Sequence, residues 1–228
     1  MYKWSVGALR RIEVFFCEFR GYKSADRRLL SLDEIERAER FHFERDRQFF
    51  IFCRARLRTL IAEHMNAPAE RLRFAYGPMG KPSLNDGPQF NASHAGDWFA
   101  LVLTDEGPEI GVDIEHVHRL DDMLSMARHF FAPAETHRLL TIAEAQRTRS
   151  FFECWTRKEA VIKATGEGVS RPLDSFEVAF GPGAAAALLR IDQDLNPRWQ
   201  MSSFERGPEY LAALTSSAPW LEVIVKFA

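Results

Sequence analysis

The two halves of the 228-residue chain resemble each other, and this internal repeat restricts the folds open to it. The segments SLDEIERAERF and FFIFCRARLRTLI match the later APAETHRLLTI and FFECWTRKEAVIK in pattern, with Phe50 and Cys53 corresponding to Phe151 and Cys154. Each half reads as a strand, an acidic helix, a helix with the aromatic–cysteine pattern, a loop and a strand. The repeat predicts an α+β fold of two similar α/β halves, residues 1–107 and 108–228, related by a pseudo-two-fold. We expect a ligand cleft between them.

Charge and cysteine content limit the possible partners and the compartment. The formal net charge is −2 at pH 7 and no nucleic-acid-binding motif is present, so any anion site must be local. Three widely spaced cysteines, with no metal-binding pattern, indicate a reduced protein. The N-terminus does not resemble a signal peptide, and no apolar run approaches the ~20 residues that span a bilayer. We therefore expect a cytoplasmic protein that binds neither nucleic acid nor membranes.

Local patterns predict the elements that carry the polar motifs. The alternation in IEVFF is typical of a strand, and Ser31 with Glu34 forms a capping box at the start of a helix. The stretch YGPMGKPSLNDGP, rich in glycine and proline, predicts a loop. The stretch NASH predicts a polar turn before a strand at Trp98 to Leu103.

The motif GVDIE places two carboxylates on one face of a strand, because residues two apart point the same way. Asp113 and Glu115 therefore project together, while Val112 and Ile114 face the core. A hard cation such as Mg²⁺, bound through carboxylate oxygens, relieves their repulsion. The alternative is a solvated face of an edge strand, which is the commoner explanation of an isolated pair of this kind.

The stretch CWTRKEAVIKATGEG predicts a helix that ends in a glycine-rich turn. Trp155, Glu159 and Lys163 lie at intervals of four along one stripe, so Glu159 can complete a metal site begun on the GVDIE strand. Lys158 and Lys163 can then contact phosphate oxygens. The alternative is a surface ion pair worth only ~0.3–0.5 kcal/mol.

Further donors for a phosphate occur in the first half. Ser93 and His94 carry hydrogen-bond donors, and Lys81 lies in the Gly-Pro loop. Most arginines of ERDRQFFIFCRARLR fit a solvated helix face, although arginine suits phosphates. A Ser/His/Asp nucleophilic triad is disfavoured, since Ser93 and His94 are sequence neighbours and no G-x-S-x-G motif is present.

Taken in order, these motifs resemble the Sfp-type 4′-phosphopantetheinyl transferases. That family carries GKP, N-x-S-H, G-[IV]-D-[IV]-E and W-x-x-K-E-x-x-x-K-x-x-G-x-G, followed by P-L-D-x-F, and all five are present here between Lys81 and Phe176. The resemblance implies transfer of the phosphopantetheine arm of coenzyme A to a serine of an acyl or peptidyl carrier protein, with release of adenosine 3′,5′-bisphosphate. It also implies a monomeric pseudo-dimer with coenzyme A between its halves.

The resemblance also implies roles for individual residues. Asp113, Glu115 and Glu159 match the acidic triad that binds Mg²⁺, and Lys163, with Lys158 as its neighbour, matches the phosphate-contacting lysine. Further matches on the nucleotide side are Ser93, His94 at the 3′-phosphate, Lys81 and, more loosely, Arg47 and Arg54.

In the implied reaction, Lys163 and Mg²⁺ neutralise phosphate charge, and Glu159 takes the serine proton directly or through a metal-bound water. Mn²⁺ remains an alternative metal. The segment HVHRLDDMLSMARHFFAPAE, with Arg119, Met123, Met126, Arg128 and Phe130, is a candidate docking surface for an acidic carrier. A non-catalytic coenzyme A or nucleotide-binding relative and a Mg²⁺-dependent phosphohydrolase are the alternative functions.

Overall fold

The structure is a computed structural model that describes residues 11–77, 80–105, 107–192, 198–220 and 222–227. The helices are α1 (Ser24–Arg27), α2 (Leu32–Ala38), α3 (Glu44–Met65), α4 (Met123–Phe130), α5 (Pro133–Thr141) and α6 (Glu144–Thr165). The strands are β1 (Arg11–Glu18), β2 (Ala75–Tyr76), β3 (Pro82–Ser83), β4 (Gln89–Ala95), β5 (Trp98–Thr104), β6 (Ile110–His116), β7 (Glu177–Val178), β8 (Leu188–Arg190), β9 (Gln200–Arg206), β10 (Tyr210–Ser216) and β11 (Glu222–Phe227).

Two sheets form the centre of the fold. The first has the strand order β11-β1-β5-β4, and the second has the order β6-β10-β9. Strand β1 is buried on both faces, because Phe15 and Cys17 pack with residues of α3 whereas Val14 and Phe16 pack against the second sheet. The alternation predicted for this segment therefore directs successive side chains into two different hydrophobic cores.

The two halves share one topology. In the first half, β1 pairs antiparallel with β5, which closes a hairpin with β4; in the second half, β6 pairs antiparallel with β10, which closes a hairpin with β9. Each half inserts a helix of 22 residues between its first strand and its hairpin, and each of these helices is followed by a residue in the left-handed conformation, Asn66 or Gly166. The prediction of two similar α/β halves is confirmed.

The last strand crosses between the halves. Strand β11 pairs in parallel with β1, in register from Arg11 with Glu222 to Phe16 with Phe227. A segment of the second half of the sequence thus completes the sheet of the first. The division at residues 107 and 108 stays a prediction, since β11 belongs to the second half of the sequence but to the first sheet.

Local predictions are mostly confirmed, with one correction at NASH. The capping box forms, with the backbone N–H of Ser31 donating to Glu34 Oε2 at 2.9 Å. The NASH residues belong to strand β4, and the turn follows at Gly96 and Asp97. Polar side chains are tolerated in this strand because Asn91 and Ser93 have hydrogen-bond partners on β6.

Helix α6 lies very close to strand β6. A Cβ placed on Gly111 would lie 2.1 Å from the carbonyl oxygen of Ala160 and 2.5 Å from the backbone nitrogen of Ala164. Only glycine fits this contact, which brings the GVDIE strand against the second half of the helix. Within the described residues, no helix combines the length and apolar character needed to cross a membrane.

Candidate functional site

A cavity of about 1180 Å³ lies between the two halves. This volume exceeds the roughly 300–1,000 Å³ of most small-molecule sites, so it has room for a large ligand. Among the described residues, basic side chains outnumber acidic ones along its walls: Arg37, Arg45, Arg54, Lys81, Lys163 and Arg171 against Asp46, Glu159 and Asp174. Although the whole chain carries a net charge of −2, this cleft is locally positive and suits a polyanion.

One face of α6 forms part of the wall of the cleft. Trp155, Glu159 and Lys163 all line it, as their spacing predicts. The helix ends at Thr165, and Gly166 then adopts φ 71°, a conformation that glycine reaches without steric cost. The TGEG stretch therefore ends the helix immediately beyond Lys163.

Asp113 is the centre of a hydrogen-bond network that joins the halves. Ser93 Oγ donates to Asp113 Oδ1 at 2.8 Å, and Lys163 Nζ donates to the same oxygen at 2.6 Å and to Ser93 Oγ at 2.7 Å. Asp113 is only 3% exposed, and its Oδ2 has no hydrogen-bond partner among the described residues. A buried carboxylate oxygen without a partner is costly, and a hard cation at Oδ2 would remove that cost.

Two further carboxylates are perturbed by burial and by Asp113. Burial, and after it the negative charge of Asp113, raises the pKa of Glu115 to about 7. Burial and Asp113 likewise raise the pKa of Glu159, while Lys163 opposes the shift. Such coupling indicates that the negative charges lie near one another, and a cation between them would lower the pKa values of Glu115 and Glu159.

The donor set fits Mg²⁺ in its chemistry but forms no closed cage. In the part of the chain that the structure describes, no three His, Cys, Asp or Glu side chains lie close enough together to hold an ion alone. Mg²⁺ usually binds through one or two carboxylates and completes its shell with water and substrate phosphates. Of the three carboxylates Glu159 lines the cleft, whereas Asp113 and Glu115 do not, so the acidic group lies beside the basic cleft with one member in its wall.

Lys81 and His94 contribute to the cleft from the first half. Lys81 Nζ donates to the backbone carbonyls of Lys163 at 2.8 Å and Ala164 at 3.4 Å, at the end of α6 where the helix dipole favours a cation. Burial lowers the pKa of Lys81. Burial, with the charge of Lys163 added, lowers the pKa of His94, whose ring contacts Phe49 edge-on at 5.6 Å. The lowered pKa favours a neutral imidazole with one N–H donor.

The expectation that Lys158 contacts phosphate is wrong. Its side chain has no exposed surface and does not line the cavity. Lys158 Nζ pairs with Glu135 Oε2 at 2.7 Å and donates to the carbonyls of Leu173 and Phe176, each at 2.7 Å. The buried ammonium therefore joins α6 to α5 and to the segment after the TGEG turn.

The two arginines predicted as nucleotide contacts differ in position. Arg54 lines the cleft, where it is held by Glu34 at 2.7 Å and by Tyr76 Oη at 2.8 Å. Arg47 does not line the cleft and forms ion pairs with two neighbouring glutamates, so its contact with the nucleotide stays a prediction. Arg45 occupies the cleft instead, because a residue two positions away on a helix faces a different side.

Sequence reasoning missed several other wall residues. On α3 the cleft is lined at intervals of four by Arg45, Phe49, Cys53 and Leu57, a periodicity visible in the sequence. Arg171 also lines the cleft, although no spacing in the sequence marks it.

Comparisons with known proteins agree with the geometry. The family model "4′-phosphopantetheinyl transferase superfamily" matches residues 109–215, and "4′-phosphopantetheinyl transferase, N-terminal" matches residues 22–106. A Synechocystis protein, provisionally named a 4′-phosphopantetheinyl transferase, is 41% identical over 77% of this chain and 72% of its own length. HetI of Nostoc is 36% identical (81% and 77% covered), and psf-1 of Bacillus pumilus is 32% identical (82% and 84% covered); both are named 4′-phosphopantetheinyl transferases.

A solved holo-[acyl-carrier-protein] synthase from Thermotoga maritima resembles part of the fold. It covers 48% of this chain and 63% of its own, with 20% identity and a TM-score of 0.38, which is too partial to support a conclusion. The relatives that match most of the chain decide the assignment. With both halves matched by models of one family, and curated relatives at 32–41% identity over most of their length, the chain belongs to the 4′-phosphopantetheinyl transferase family.

Proposed function

We propose that the cleft binds coenzyme A, and that the protein transfers its 4′-phosphopantetheine arm to a serine of an acyl or peptidyl carrier protein. The observation that supports this best is the network of Ser93, Asp113 and Lys163 beside a large, basic cleft. It places a buried carboxylate with a free oxygen next to an ammonium, which is what a pyrophosphate bound to a cation requires.

Asp113, Glu115 and Glu159 would hold Mg²⁺. The unpartnered Oδ2 of Asp113 and the raised pKa values of the two glutamates support this assignment. When bound, the ion would neutralise charge on the pyrophosphate oxygens and so favour attack at phosphorus.

The basic residues of the cleft would bind and orient coenzyme A. Lys163 would contact the pyrophosphate, because its ammonium already lies 2.6 Å from Asp113 Oδ1. His94, neutral at physiological pH, would donate one hydrogen bond to the 3′-phosphate. Lys81 and Arg54 would add positive charge on the nucleotide side of the cleft.

In the reaction, the serine oxygen of the carrier forms a bond to the β-phosphorus of coenzyme A. The bond from this phosphorus to the bridging oxygen breaks, and adenosine 3′,5′-bisphosphate leaves with the electron pair. The serine proton passes to Glu159, directly or through a water. Glu159 is the carboxylate of this group that lines the cleft, so it is placed to accept that proton.

The carrier protein would dock beside α4. His129 and Phe130 at the end of this helix line the cleft, and the exposed Arg128 precedes them. Met123 and Met126 are half-buried against the core and supply apolar contact together with Phe130. Arg119, at the start of this surface, is exposed and already paired with Asp121. An acidic carrier would find both charge and apolar area here.

The protein would work as a cytoplasmic monomer without nucleic acid or membrane partners. The three cysteines are free and buried, which agrees with a reducing compartment. The locally positive surface lines a cleft between the halves, where a small ligand can enter.

The test is to incubate the protein with coenzyme A, Mg²⁺ and an apo carrier protein, and to measure the carrier by mass spectrometry. A mass gain of one phosphopantetheine arm is expected. Hydrolysis of coenzyme A without a carrier would favour a phosphohydrolase, and tight binding of coenzyme A without turnover would favour a non-catalytic binding protein.

The matched variants are Asp113→Asn and Asp86→Asn. The first keeps the shape of the side chain and removes its charge, and we expect it to abolish transfer. The second makes the same change at an exposed position outside the cleft, and we expect wild-type rates. Substantial transfer by Asp113→Asn would contradict the metal assignment.

A further inference from the structure

Strand β4 presents two buried polar residues to the second half of the protein. Asn91 and Ser93 are each 7% exposed, and because they are two positions apart on a strand they face the same way. Asn91 Oδ1 accepts a hydrogen bond from the backbone N–H of Val112 at 2.9 Å, and Ser93 Oγ donates to the adjacent Asp113 at 2.8 Å. The two side chains thus fasten β4 to β6 across the boundary between the halves.

His94 has a different environment from its neighbour Ser93. It is exposed toward the cavity, where it lies against Phe49. The N-x-S-H motif therefore separates into two residues that face the second half and one that faces the ligand.

The single donor of the Ser93 hydroxyl is already used. A hydroxyl has one proton, and Ser93 gives it to Asp113 Oδ1 while its oxygen accepts from Lys163 Nζ at 2.7 Å. No proton remains to donate to a phosphate. The hydrogen bond from Ser93 also determines which oxygen of Asp113 is occupied. Oδ1 accepts hydrogen bonds from both Ser93 and Lys163, whereas the buried Oδ2 has no partner in the described structure.

We infer that Ser93 is a positioning residue for the metal ligand Asp113 and does not contact the nucleotide. Its hydroxyl holds the Asp113 carboxylate so that Oδ2 is directed to the cation, and it aligns Lys163 with the same group. This inference rests on the proposed function, since it concerns the carboxylate that would bind Mg²⁺. It changes the role that the family resemblance implies for Ser93 and keeps the role of His94.

The test compares Ser93→Ala with His94→Ala in two assays. The first measures Mn²⁺ binding directly, by electron paramagnetic resonance or calorimetry, with coenzyme A present. Loss of a residue that orients a metal ligand typically weakens metal binding by about 10–100-fold, so we expect the Mn²⁺ dissociation constant of Ser93→Ala to rise by at least 10-fold. His94→Ala should bind Mn²⁺ like the wild type.

The second assay compares coenzyme A with dephospho-coenzyme A, which lacks the 3′-phosphate. For Ser93→Ala we expect the same loss of kcat/KM with both substrates. For His94→Ala the loss of kcat/KM should be larger with coenzyme A than with dephospho-coenzyme A, because the 3′-phosphate that His94 would contact is absent from dephospho-coenzyme A. Ser93→Thr keeps the hydroxyl and should recover most of the Mn²⁺ affinity, whereas a general packing defect would not be corrected by it.

Ser83→Ala is the matched control, since Ser83 is exposed and does not line the cleft. Thermal unfolding of each variant establishes that it is folded. Wild-type Mn²⁺ affinity in Ser93→Ala, with a defect confined to coenzyme A, would overturn this inference and leave the proposed function standing. Absence of Mn²⁺ binding and of transfer in the wild type would overturn both.

Discussion

Substitution of Gly111 tests whether α6 must approach β6 as closely as the structure indicates. In Gly111→Ala the new Cβ would lie 2.1 Å from the carbonyl oxygen of Ala160 and 2.5 Å from the backbone nitrogen of Ala164. Both atoms belong to the helix backbone, so no side chain can rotate to relieve the contact. The strand and helix must separate by more than ~1 Å to reach ordinary van der Waals distances.

That separation directly affects the hydrogen-bond network of Asp113, Ser93 and Lys163. Asp113 is two residues from Gly111, and Lys163 immediately precedes Ala164, so the hydrogen bond of 2.6 Å between Asp113 and Lys163 would stretch beyond hydrogen-bonding range. Overpacking costs about 1–3 kcal/mol of folding stability. A displacement of ~1 Å in a catalytic group costs about 10²-fold in rate, so we expect kcat to fall by about that factor.

The assay is steady-state transfer of the phosphopantetheine arm, with urea unfolding measured on the same preparations. Gly77→Ala is the control, because a Cβ at Gly77 would approach only the carbonyl of Lys81, at an ordinary 3.8 Å. We expect this control to keep its stability and its rate. Wild-type kcat and stability in Gly111→Ala would refute the close contact of β6 with α6.

Two more predictions concern charges outside the cleft. Lys158→Met leaves Glu135 buried without its cation and should lower the free energy of unfolding by about 3–5 kcal/mol, with partial recovery in a double variant that also carries Glu135→Gln, measured by urea unfolding. Near the end of α3, burial alone would lower the pKa of His64, but hydrogen bonds from its ring to Asp105 and Glu13 outweigh burial and raise it. A raised histidine pKa stabilises the fold at pH values below the unfolded pKa of about 6.5, and this stabilisation is lost as the pH rises through the folded pKa. The wild type should therefore exceed His64→Gln in unfolding free energy at pH 6, and the difference should shrink by pH 9; a constant difference would contradict the charged pairing.

The sequence was sufficient to predict the acidic and basic residues that meet in the second half. Asp113 and Glu115 are separated by a strand interval and Glu159 and Lys163 by a helix interval, so each pair shares a face whatever the tertiary fold. Gly111 of GVDIE allows β6 and α6 to approach closely, because it has no side chain. Only the structure reveals its contact with Ala160.

Lys158 illustrates how the wrong face of a helix can be chosen. It lies four residues from Cys154 and four from Ile162, both of which are buried, so helical periodicity alone places it on the core side of α6. A charge on that stripe is uncommon, and its partner Glu135 belongs to another helix that no local pattern connects to it. The expectation of a phosphate contact rested on the place of Lys158 beside Lys163 in the motif, which does not specify a helix face.

The pairing of β11 with β1 was beyond sequence reasoning for a different reason. The contact joins residues about 210 positions apart in the chain, and a short apolar strand carries no signal that selects one sheet edge over another. The same holds for Lys81, whose position at the end of α6 depends on the packing of one half against the other.

The repeat also accounts for why two similar halves make one site. Glu34 and Glu135 are 101 residues apart, the same separation as Cys53 and Cys154, and each accepts the backbone N–H at the start of its own short helix.

At that separation Arg58 corresponds to Glu159. In the first half Arg58 is 2% exposed and bound to Glu34, so this position is closed by a buried ion pair. In the second half the cation that pairs with Glu135 is Lys158, the residue of α6 immediately before Glu159. Glu159 is therefore free to line the cleft. A one-residue shift in which side chain neutralises the capping glutamate therefore leaves the second half with a carboxylate in the cleft, whereas the corresponding position of the first half is a buried ion pair.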